Sequence, residues 1–287
     1  MFTKILLCTD LSGASAHLVE CTGQLKALGV KEVVLAHILY VVNTTGLDSM
    51  LAQESEPLLA REKKILEEAG LSVQTEMIVG KPAYTLDMLA DKHEVSLVVI
   101  GSHGRGFLNA LVLGSVSEKL LQLTRRPVLL ARNKIFHNEK ESLAQCDQLF
   151  THLLFPTDFS EASEMAFGCL EQLAGRTKAA VTLMTVRSAS DNGAGNEQLC
   201  RIDMARLTRM QKSLEEKGAA KVEILCAKGN PAAEIVAAGK NCSLIVMGTH
   251  GKGLLEEAVL GSCAHEVARQ AETPILFASS PLCGCCA

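Results

Sequence analysis

Residues 101–132 read GSHGRGFLNALVLGSVSEKLLQLTRRPVLLAR, and residues 248–279 read GTHGKGLLEEAVLGSCAHEVARQAETPILFAS. The two stretches align without a gap, and 12 of 32 positions are identical, including four glycines, one histidine and the proline. The two halves also begin alike, since residues 4–12 read KILLCTDLS and residues 152–160 read HLLFPTDFS. Self-similarity at a nearly constant offset is typical of a repeated structural unit, so the sequence predicts two domains in tandem.

Length and composition agree with two folded domains. The chain has 287 residues, which suits about two ordinary domains, and its 48% hydrophobic residues suffice for packed cores. The segment between the repeats has no apolar period and contains the polar run HNEKES at 137–142. We therefore predict a first domain at 1–135, a linker at 136–150, a second domain at 151–280 and a cysteine-rich tail at 281–287.

Each half alternates between short apolar runs and helical patterns. The runs are rich in β-branched residues and have the length of buried strands. They are Ile5–Cys8, Val33–Ile38, Val73–Val79, Leu97–Ile100 and Val128–Ala131, then Leu153–Phe155, Val181–Val186, Val222–Ala227, Leu244–Met247 and Ile275–Ala278. The helical patterns include one face formed by Leu18, Cys21, Leu25 and Leu28, and the segments 51–68 and 82–92. This alternation predicts an α/β fold in which helices cover both faces of a parallel sheet in each domain.

Composition excludes several classes of function. The formal net charge is −4, aromatic residues make up 3% and tryptophan is absent, which argues against nucleic-acid binding. No stretch is long and apolar enough for a membrane span or a signal peptide, so we predict a cytoplasmic protein that binds no membrane. The 11 cysteines are scattered and odd in number, which favours small buried hydrophobes over a disulfide framework.

A glycine motif follows the fourth strand of each domain. The pattern G-x-x-G, nine residues, G-S occupies residues 101–115 and again residues 248–262. The final serine precedes a helical pattern, so free backbone N–H groups and the positive helix end point to one place. Arg105 and Lys252 add positive charge. Glycines after a strand also serve as simple turn formers, but the duplicated spacing favours a phosphate-binding loop in which glycine allows close approach and positive φ.

A second motif, T-D-x-S, follows the first strand of each domain at residues 9–12 and 157–160. In open parallel sheets, ligands bind beyond the carboxyl ends of the strands, where the strand order reverses. Asp10 and Asp158 therefore have two interpretations, because an aspartate before a helix is also a common N-cap. Their position beside the glycine loop makes a ligand contact an equal alternative.

At these motifs the sequence resembles the universal stress protein family in its tandem form, over nearly the whole chain outside linker and tail. The glycine motif is similar to that of the ATP-binding members. The resemblance implies a five-stranded sheet in the order 3-2-1-4-5, with the adenosine at the T-D motif and the phosphates at the glycine motif. The residues predicted to line the two sites are Cys8, Thr9, Asp10, Ile38, Ile100, Gly101, His103, Gly104, Arg105, Gly114, Ser115, Val116 and Ser117, then Pro156, Thr157, Asp158, Val186, Met247, Gly248, His250, Gly251, Lys252, Gly261, Ser262, Cys263 and Ala264.

The resemblance implies ATP or AMP as the ligand, with Mg²⁺ as a possible companion of ATP. The second domain departs from the pattern, because Cys263 and Ala264 replace Val116 and Ser117. Loss of the hydroxyl is expected to weaken that site or to favour AMP. No Gly-Lys-Ser/Thr follows a glycine loop, so a Walker P-loop is absent from the sequence.

Two classes of function remain. One is a nucleotide-binding stress or signalling module with no dedicated catalytic residue; the other is a slow ATP hydrolase that acts as a switch. His103 and His250 could serve as an acid or base, or only donate a hydrogen bond to phosphate. No carboxylate at a suggestive spacing accompanies either histidine, which favours the binding module.

Assembly follows from the resemblance, since family members pair through their last strand. We expect Val128–Ala131 and Ile275–Ala278 to make an intramolecular pseudo-dimer, which would cover two sheet edges. A further homodimer and a protein partner of unknown identity are compatible with the sequence. The tail cysteines, Cys283, Cys285 and Cys286, could bind a soft metal or form a redox pair, but a reduced, mobile tail is the simpler interpretation.

Overall fold

A computed structural model of the protein describes residues 2–41, 47–102, 113–132, 148–187, 195–251 and 260–278. The chain divides into two compact units, with the boundary between residues 147 and 148. Most of the predicted linker and the whole tail at 281–287 lie outside the described residues.

The first unit has the predicted alternation of strands and helices. Its strands are β1 (Lys4–Cys8), β2 (Glu32–Leu39), β3 (Ser72–Val79), β4 (Leu97–Gly101) and β5 (Val128–Ala131). Its described α-helices are α1 (Gly13–Thr22), α2 (Leu47–Glu68), α3 (Pro82–Lys92) and α4 (Ser115–Leu123). The predicted strands are confirmed to within one residue at each end, because short β-branched runs between turn residues are a strong local signal.

The five strands of the first unit form one parallel sheet in the order β3-β2-β1-β4-β5. In the centre, Ile5 of β1 lies opposite Val33 of β2 on one side and Leu97 of β4 on the other. Strands β1, β4 and β5 are buried almost throughout, as expected where helices cover both faces of a parallel sheet. The predicted doubly wound fold and strand order are therefore confirmed.

The second unit repeats this arrangement. Its strands are β6 (His152–Pro156), β7 (Ala180–Arg187), β8 (Lys221–Lys228), β9 (Leu244–Gly248) and β10 (Ile275–Ala278). Its described helices are α5 (Glu161–Thr177), α6 (Gly195–Glu216), α7 (Pro231–Gly239) and α8 (Ser262–Gln270). The strands pair in parallel in the order β10-β9-β6-β7-β8, which is the equivalent of the order in the first unit.

One helical prediction differs in detail. Leu18, Cys21, Leu25 and Leu28 are all buried, as the periodicity predicts. They do not lie on one α-helix, however, because α1 ends at Thr22 and a 3₁₀ helix continues over Gly23–Leu28. Glycine at 23 weakens the α-helix, and the tighter 3₁₀ turn is common where an α-helix ends.

The prediction that the cysteines are small buried hydrophobes is confirmed only in part. Among the described free thiols, Cys8 and Cys169 are buried, Cys242 and Cys263 are half-buried, and Cys200 and Cys226 are exposed. Cys21 is buried and is part of a disulfide. Within the described part of the chain, no helix has both the length and the apolar character that crossing a membrane requires.

Candidate functional site

The strand order places the two sequence motifs next to each other in each unit. β1 pairs with β2 on one side and with β4 on the other, so the order reverses between β1 and β4. The T-D-x-S motif follows β1, and the glycine motif begins at the last residue of β4. In the second unit β6 and β9 are adjacent in the same way. Each unit therefore has the geometry at which parallel α/β sheets bind their ligands.

The T-D-x-S loops of the two units share one backbone conformation. The residue at x, Leu11 or Phe159, has a positive φ of 58° or 59°. Its N–H donates to the hydroxyl of Thr9 or Thr157 at 3.0 Å in both units. A bulky residue with positive φ is uncommon and is retained only where the surrounding contacts enforce it. The surrounding contacts therefore hold both loops in the same backbone conformation.

The aspartate of this motif does not cap the helix. Asp10 Oδ1 accepts from the N–H of Ser12 at 3.1 Å, and Asp158 Oδ1 accepts from Ser160 at 3.0 Å. The N-caps are the serines themselves, since the Ser12 hydroxyl accepts from the N–H of Ser15. The capping interpretation of Asp10 and Asp158 is therefore wrong. Each aspartate closes a local turn with its Oδ1 oxygen.

In the first unit, the second carboxylate oxygen of this aspartate, Asp10 Oδ2, is buried and has no hydrogen-bond partner among the residues that the structure describes. A buried carboxylate oxygen without a donor is unfavourable, and such atoms commonly mark places where a ligand supplies the missing group. A nucleoside, which carries hydroxyl and amino donors, fits this requirement.

The glycine motif closes back onto the end of its strand. In the first unit the N–H of Gly114 donates to Ser102 O at 2.8 Å, and in the second the N–H of Gly261 donates to Thr249 O at 2.8 Å. These bonds set the start of α4 and of α8 beside β4 and β9. The first turn of each helix then begins at an exposed serine, Ser115 or Ser262.

The predicted positive φ of the motif glycines is wrong for those that the structure describes. Gly114 has φ −64° and Gly261 has φ −59°, which any residue can adopt. Glycine is needed in the motif of the second unit because a side chain would not fit. A Cβ at Gly251 would lie 2.8 Å from Asp158 Oδ2, and a Cβ at Gly248 would lie 2.9 Å from Ala162 O. Gly251 therefore lets the loop after β9 approach the aspartate, and Gly248 lets β9 approach the start of α5.

Gly248→Ala is expected to lower the free energy of unfolding by about 1–3 kcal/mol, because the new methyl group meets rigid backbone. Gly168→Ala is the matched control. Gly168 lies within α5 with open space around its Cα, so alanine should raise stability by about 0.5–1 kcal/mol. Urea unfolding measures both variants, and an unchanged midpoint for Gly248→Ala would contradict the packing role.

The two units differ at the start of the glycine-motif helix. In the first, the Ser117 hydroxyl donates to Gly101 O at 2.7 Å, so it links the helix to the strand end. In the second, buried Ala264 cannot make this bond. Burial, and then the charges of Asp158 and Glu266, raise the pKa of the Cys263 thiol to about 11. Cys263 is therefore a neutral thiol close to the carboxylate of Asp158.

The remaining predicted residues fall into three groups. Cys8, Ile100, Pro156 and Met247 are buried at the ends of the central strands, and Ile38 and Val186 are half-buried near the ends of β2 and β7. His250 Nδ1 lies 2.8 Å from Thr249 Oγ1, and its Nε2 is buried with no hydrogen-bond partner in the described structure. His103, Gly104, Arg105 and Lys252 lie outside the described residues.

Sequence reasoning missed Glu62, which lies beside the T-D-x-S loop of the first unit. It lies on the buried face of α2 between Leu59 and Leu66, and only 4% of its surface is exposed. Glu62 Oε1 accepts a hydrogen bond from the Thr9 hydroxyl at 3.1 Å. Burial raises the pKa of Glu62 to about 7; the Thr9 bond lowers it, and the nearby charge of Asp10 raises it. Its helical spacing from Leu59 and Leu66 was the sequence signal that could have predicted its burial.

The sequence profile of the Universal stress protein family matches residues 1–132 and 149–278. The two matches cover most of the chain and correspond to the two units. The chain belongs to the universal stress protein family, with two copies of the family's domain in tandem.

Individual relatives agree with this assignment. Universal stress protein Rv2005c of Mycobacterium tuberculosis is 28% identical over 240 residues, which cover 78% of this chain and 77% of that protein. Universal stress protein MJ0577 of Methanocaldococcus jannaschii is 27% identical over 157 residues, covering 47% of this chain and 97% of its own. A universal stress protein from Archaeoglobus fulgidus has the same fold, with TM-score 0.76, 22% identity and coverage of 96% and 98% of the two chains.

Proposed function

We propose that each unit binds one adenine nucleotide, ATP or AMP, and that the protein is a nucleotide-responsive module of the stress response. The preference for adenine rests on family resemblance. The adenosine would contact the T-D-x-S loop, and the phosphates would lie at the N-terminal turn of the glycine-motif helix. The free N–H groups of that turn suit an anion.

The observation that carries this proposal is the unpartnered oxygen of Asp10. It is buried at the reversal of strand order, on a loop whose shape is fixed by Thr9 and Leu11. A nucleoside hydroxyl or amino group supplies the donor that the oxygen lacks. The same loop conformation in the second unit supports a second site at Asp158.

Slow ATP hydrolysis is the alternative function, and His250 is the observation that favours it. Its unpartnered Nε2 could contact a phosphate or a water molecule. Its other nitrogen, however, contacts Thr249 Oγ1, a hydroxyl that gives the ring no negative charge to support a base. A single-turnover assay with equimolar ATP distinguishes the two functions, since a binding module returns the ATP intact.

Thermal unfolding tests nucleotide binding. A ligand that binds only the folded state stabilises it by about 2.7 kcal/mol at a hundredfold excess over Kd. We expect ATP and AMP to raise Tm and GTP to raise it less. Asp10→Asn and Asp158→Asn should each remove part of this shift, because asparagine keeps the turn-closing oxygen but lacks the carboxylate charge.

The control for this experiment is Asp91→Asn, at an exposed aspartate paired with Arg126. This variant should keep the full nucleotide-induced shift. Because Ala264 lacks the hydroxyl of Ser117, we expect the site in the second unit to be the weaker one. If the Asp10→Asn, Asp158→Asn double variant keeps the full shift, the nucleotide does not bind at these loops.

A further inference from the structure

The first unit has two carboxyl groups at the candidate adenosine site, Glu62 and Asp10. One oxygen of each, Glu62 Oε2 and Asp10 Oδ2, is buried and makes no hydrogen bond within the described part of the chain. Thr9 connects them, because its backbone precedes Asp10 and its hydroxyl bonds Glu62 Oε1. The two negative charges interact, since Asp10 disfavours ionisation of Glu62. An arrangement of this kind is unfavourable in the ligand-free protein.

The packing of α2 against the sheet keeps Glu62 buried. Along α2 the buried residues are Ser55, Leu59, Glu62 and Leu66, which follow the helical period and face the sheet. At the position of Glu62 an apolar side chain would satisfy the helix packing. A carboxyl group there is costly unless something else uses it.

The second unit supplies the comparison. Helices α2 and α6 each have 22 residues, and buried Leu59 and Leu66 correspond to buried Leu207 and Leu214. At this register Met210, which is half-buried, takes the place of the buried Glu62. The Ser163 hydroxyl donates to Thr157 Oγ1 at 2.7 Å, and the equivalent Ser15 of the first unit accepts from Thr9 Oγ1 at 3.1 Å. This serine–threonine bond is common to the two units, and the bond to Glu62 is additional in the first. The fold thus tolerates methionine at this position, so the carboxyl group of Glu62 is a property of the first unit alone.

Other charged groups around α2 do not neutralise Glu62. From β2, His37 is engaged on both ring nitrogens, donating from Nδ1 to Thr9 O at 3.0 Å and lying 3.5 Å from Ser55 Oγ at Nε2. From α1, His17 pairs with Glu20. On β3, Glu76 bonds Lys92 and His93, and on α2 itself Lys63 pairs with Glu67 and Lys64 with Glu68. Asp10 is the charged group that acts on the pKa of Glu62.

We propose that Glu62 is a ligand-contacting residue of the first unit, which accepts a hydroxyl or amino donor of the bound nucleoside and makes nucleotide affinity in that unit depend on pH near neutrality. This inference rests on the proposed function. A donor to Oε2 favours the ionised carboxylate, so binding releases the proton that Glu62 carries in part at pH 7. Affinity should rise with pH. The second unit, with Met210, should lack this dependence.

Isothermal titration calorimetry with AMP at pH 6, 7 and 8, in buffers of different ionisation enthalpy, tests the proposal. In the wild type, the Kd of one of the two sites should fall about tenfold more than the Kd of the other from pH 6 to pH 8. Glu62→Gln, which keeps an acceptor oxygen but cannot titrate, should abolish that difference and the proton release linked to Glu62. Glu62→Met, the residue of the second unit, should bind more weakly at pH 8 and should also lack that difference.

Two comparisons isolate the effect. The phosphate of AMP titrates near pH 6, but this contribution is common to the wild type and Glu62→Gln and cancels in their difference. Glu68→Gln, at an exposed position of the same helix, should behave as the wild type. The 2′-deoxy, 3′-deoxy and 6-deamino analogues of AMP then identify the donor, because the analogue that lacks it should lose the pH dependence.

The outcomes separate this inference from the function on which it rests. Two binding sites with no pH-dependent difference between wild type and Glu62→Gln would overturn the role of Glu62 and leave nucleotide binding intact. Retention of the pH dependence by all three analogues would overturn the contact with a nucleoside donor. Absence of AMP binding by the wild type would overturn the proposed function together with the inference.

Discussion

Glu62→Gln is expected to raise the free energy of unfolding of the ligand-free protein at pH 8 by about 2–3 kcal/mol more than it does at pH 5. Folding raises the pKa of Glu62 from its ordinary 4.5 to about 7. Between these values the folded protein binds more protons than the unfolded chain, so the stability of the wild type falls as the pH rises through this window. Because glutamine does not titrate, the variant does not lose this stability as the pH rises.

Urea unfolding at a series of pH values measures this effect. The quantity to compare is the difference between variant and wild type at each pH, because all other titrating groups cancel. Glu68→Gln is the control on the same helix, where 66% of the side chain is exposed and one salt bridge to Lys64 is lost. Its effect should stay below about 1 kcal/mol at every pH. A pH-independent difference for Glu62→Gln would show that Glu62 ionises normally.

Gly261→Val is expected to weaken nucleotide binding in the second unit by about a hundredfold, or ~2.7 kcal/mol. A Cβ at this position would lie 3.2 Å from Thr249 O and 3.3 Å from the Cα of His250, and valine adds two further methyl groups. These groups would push the start of α8 away from the loop after β9. The hydrogen bond from the Gly261 N–H to Thr249 O, which sets the start of α8 beside β9, would then be lost.

Calorimetry on folded protein should show one nucleotide per chain for Gly261→Val and two for the wild type. Far-ultraviolet circular dichroism confirms that the variant is folded. Gly168→Ala serves again as control, because a side chain at that position meets nothing within 4 Å. A stoichiometry of two for Gly261→Val would refute the assignment of the glycine motif to nucleotide binding.

The sequence by itself determined the tandem repeat and the strands, but not the change from α-helix to 3₁₀ helix at Gly23. Strand β5 and helix α3 match their predicted bounds, because apolar runs and an opening proline are local signals. The motifs also predicted that the T-D-x-S and glycine loops are neighbours, since residues that follow the central strands of a parallel sheet meet at its carboxyl edge. The strand order itself came from family resemblance.

The role of each side chain was decided only by the tertiary structure. Asp10 is typical of an N-cap in sequence, yet Ser12 caps the helix and Asp10 closes a turn. In sequence Gly248 is typical of an anion-binding loop. In the structure, a side chain at this position would collide with the backbone of α5. In each case several partners were compatible with the local sequence, and the choice depended on a segment distant along the chain.

Glu62 shows the physical reason most clearly. In sequence it is one of many charged residues on a long helix, and glutamates on such helices are mostly exposed. Its burial depends on α2 packing against β2 and β3, and its partner Thr9 lies 53 residues away. Local periodicity determines which residues share a helix face. Which charge becomes buried beside another, and therefore titrates near neutral pH, is determined by contacts that only the folded chain makes.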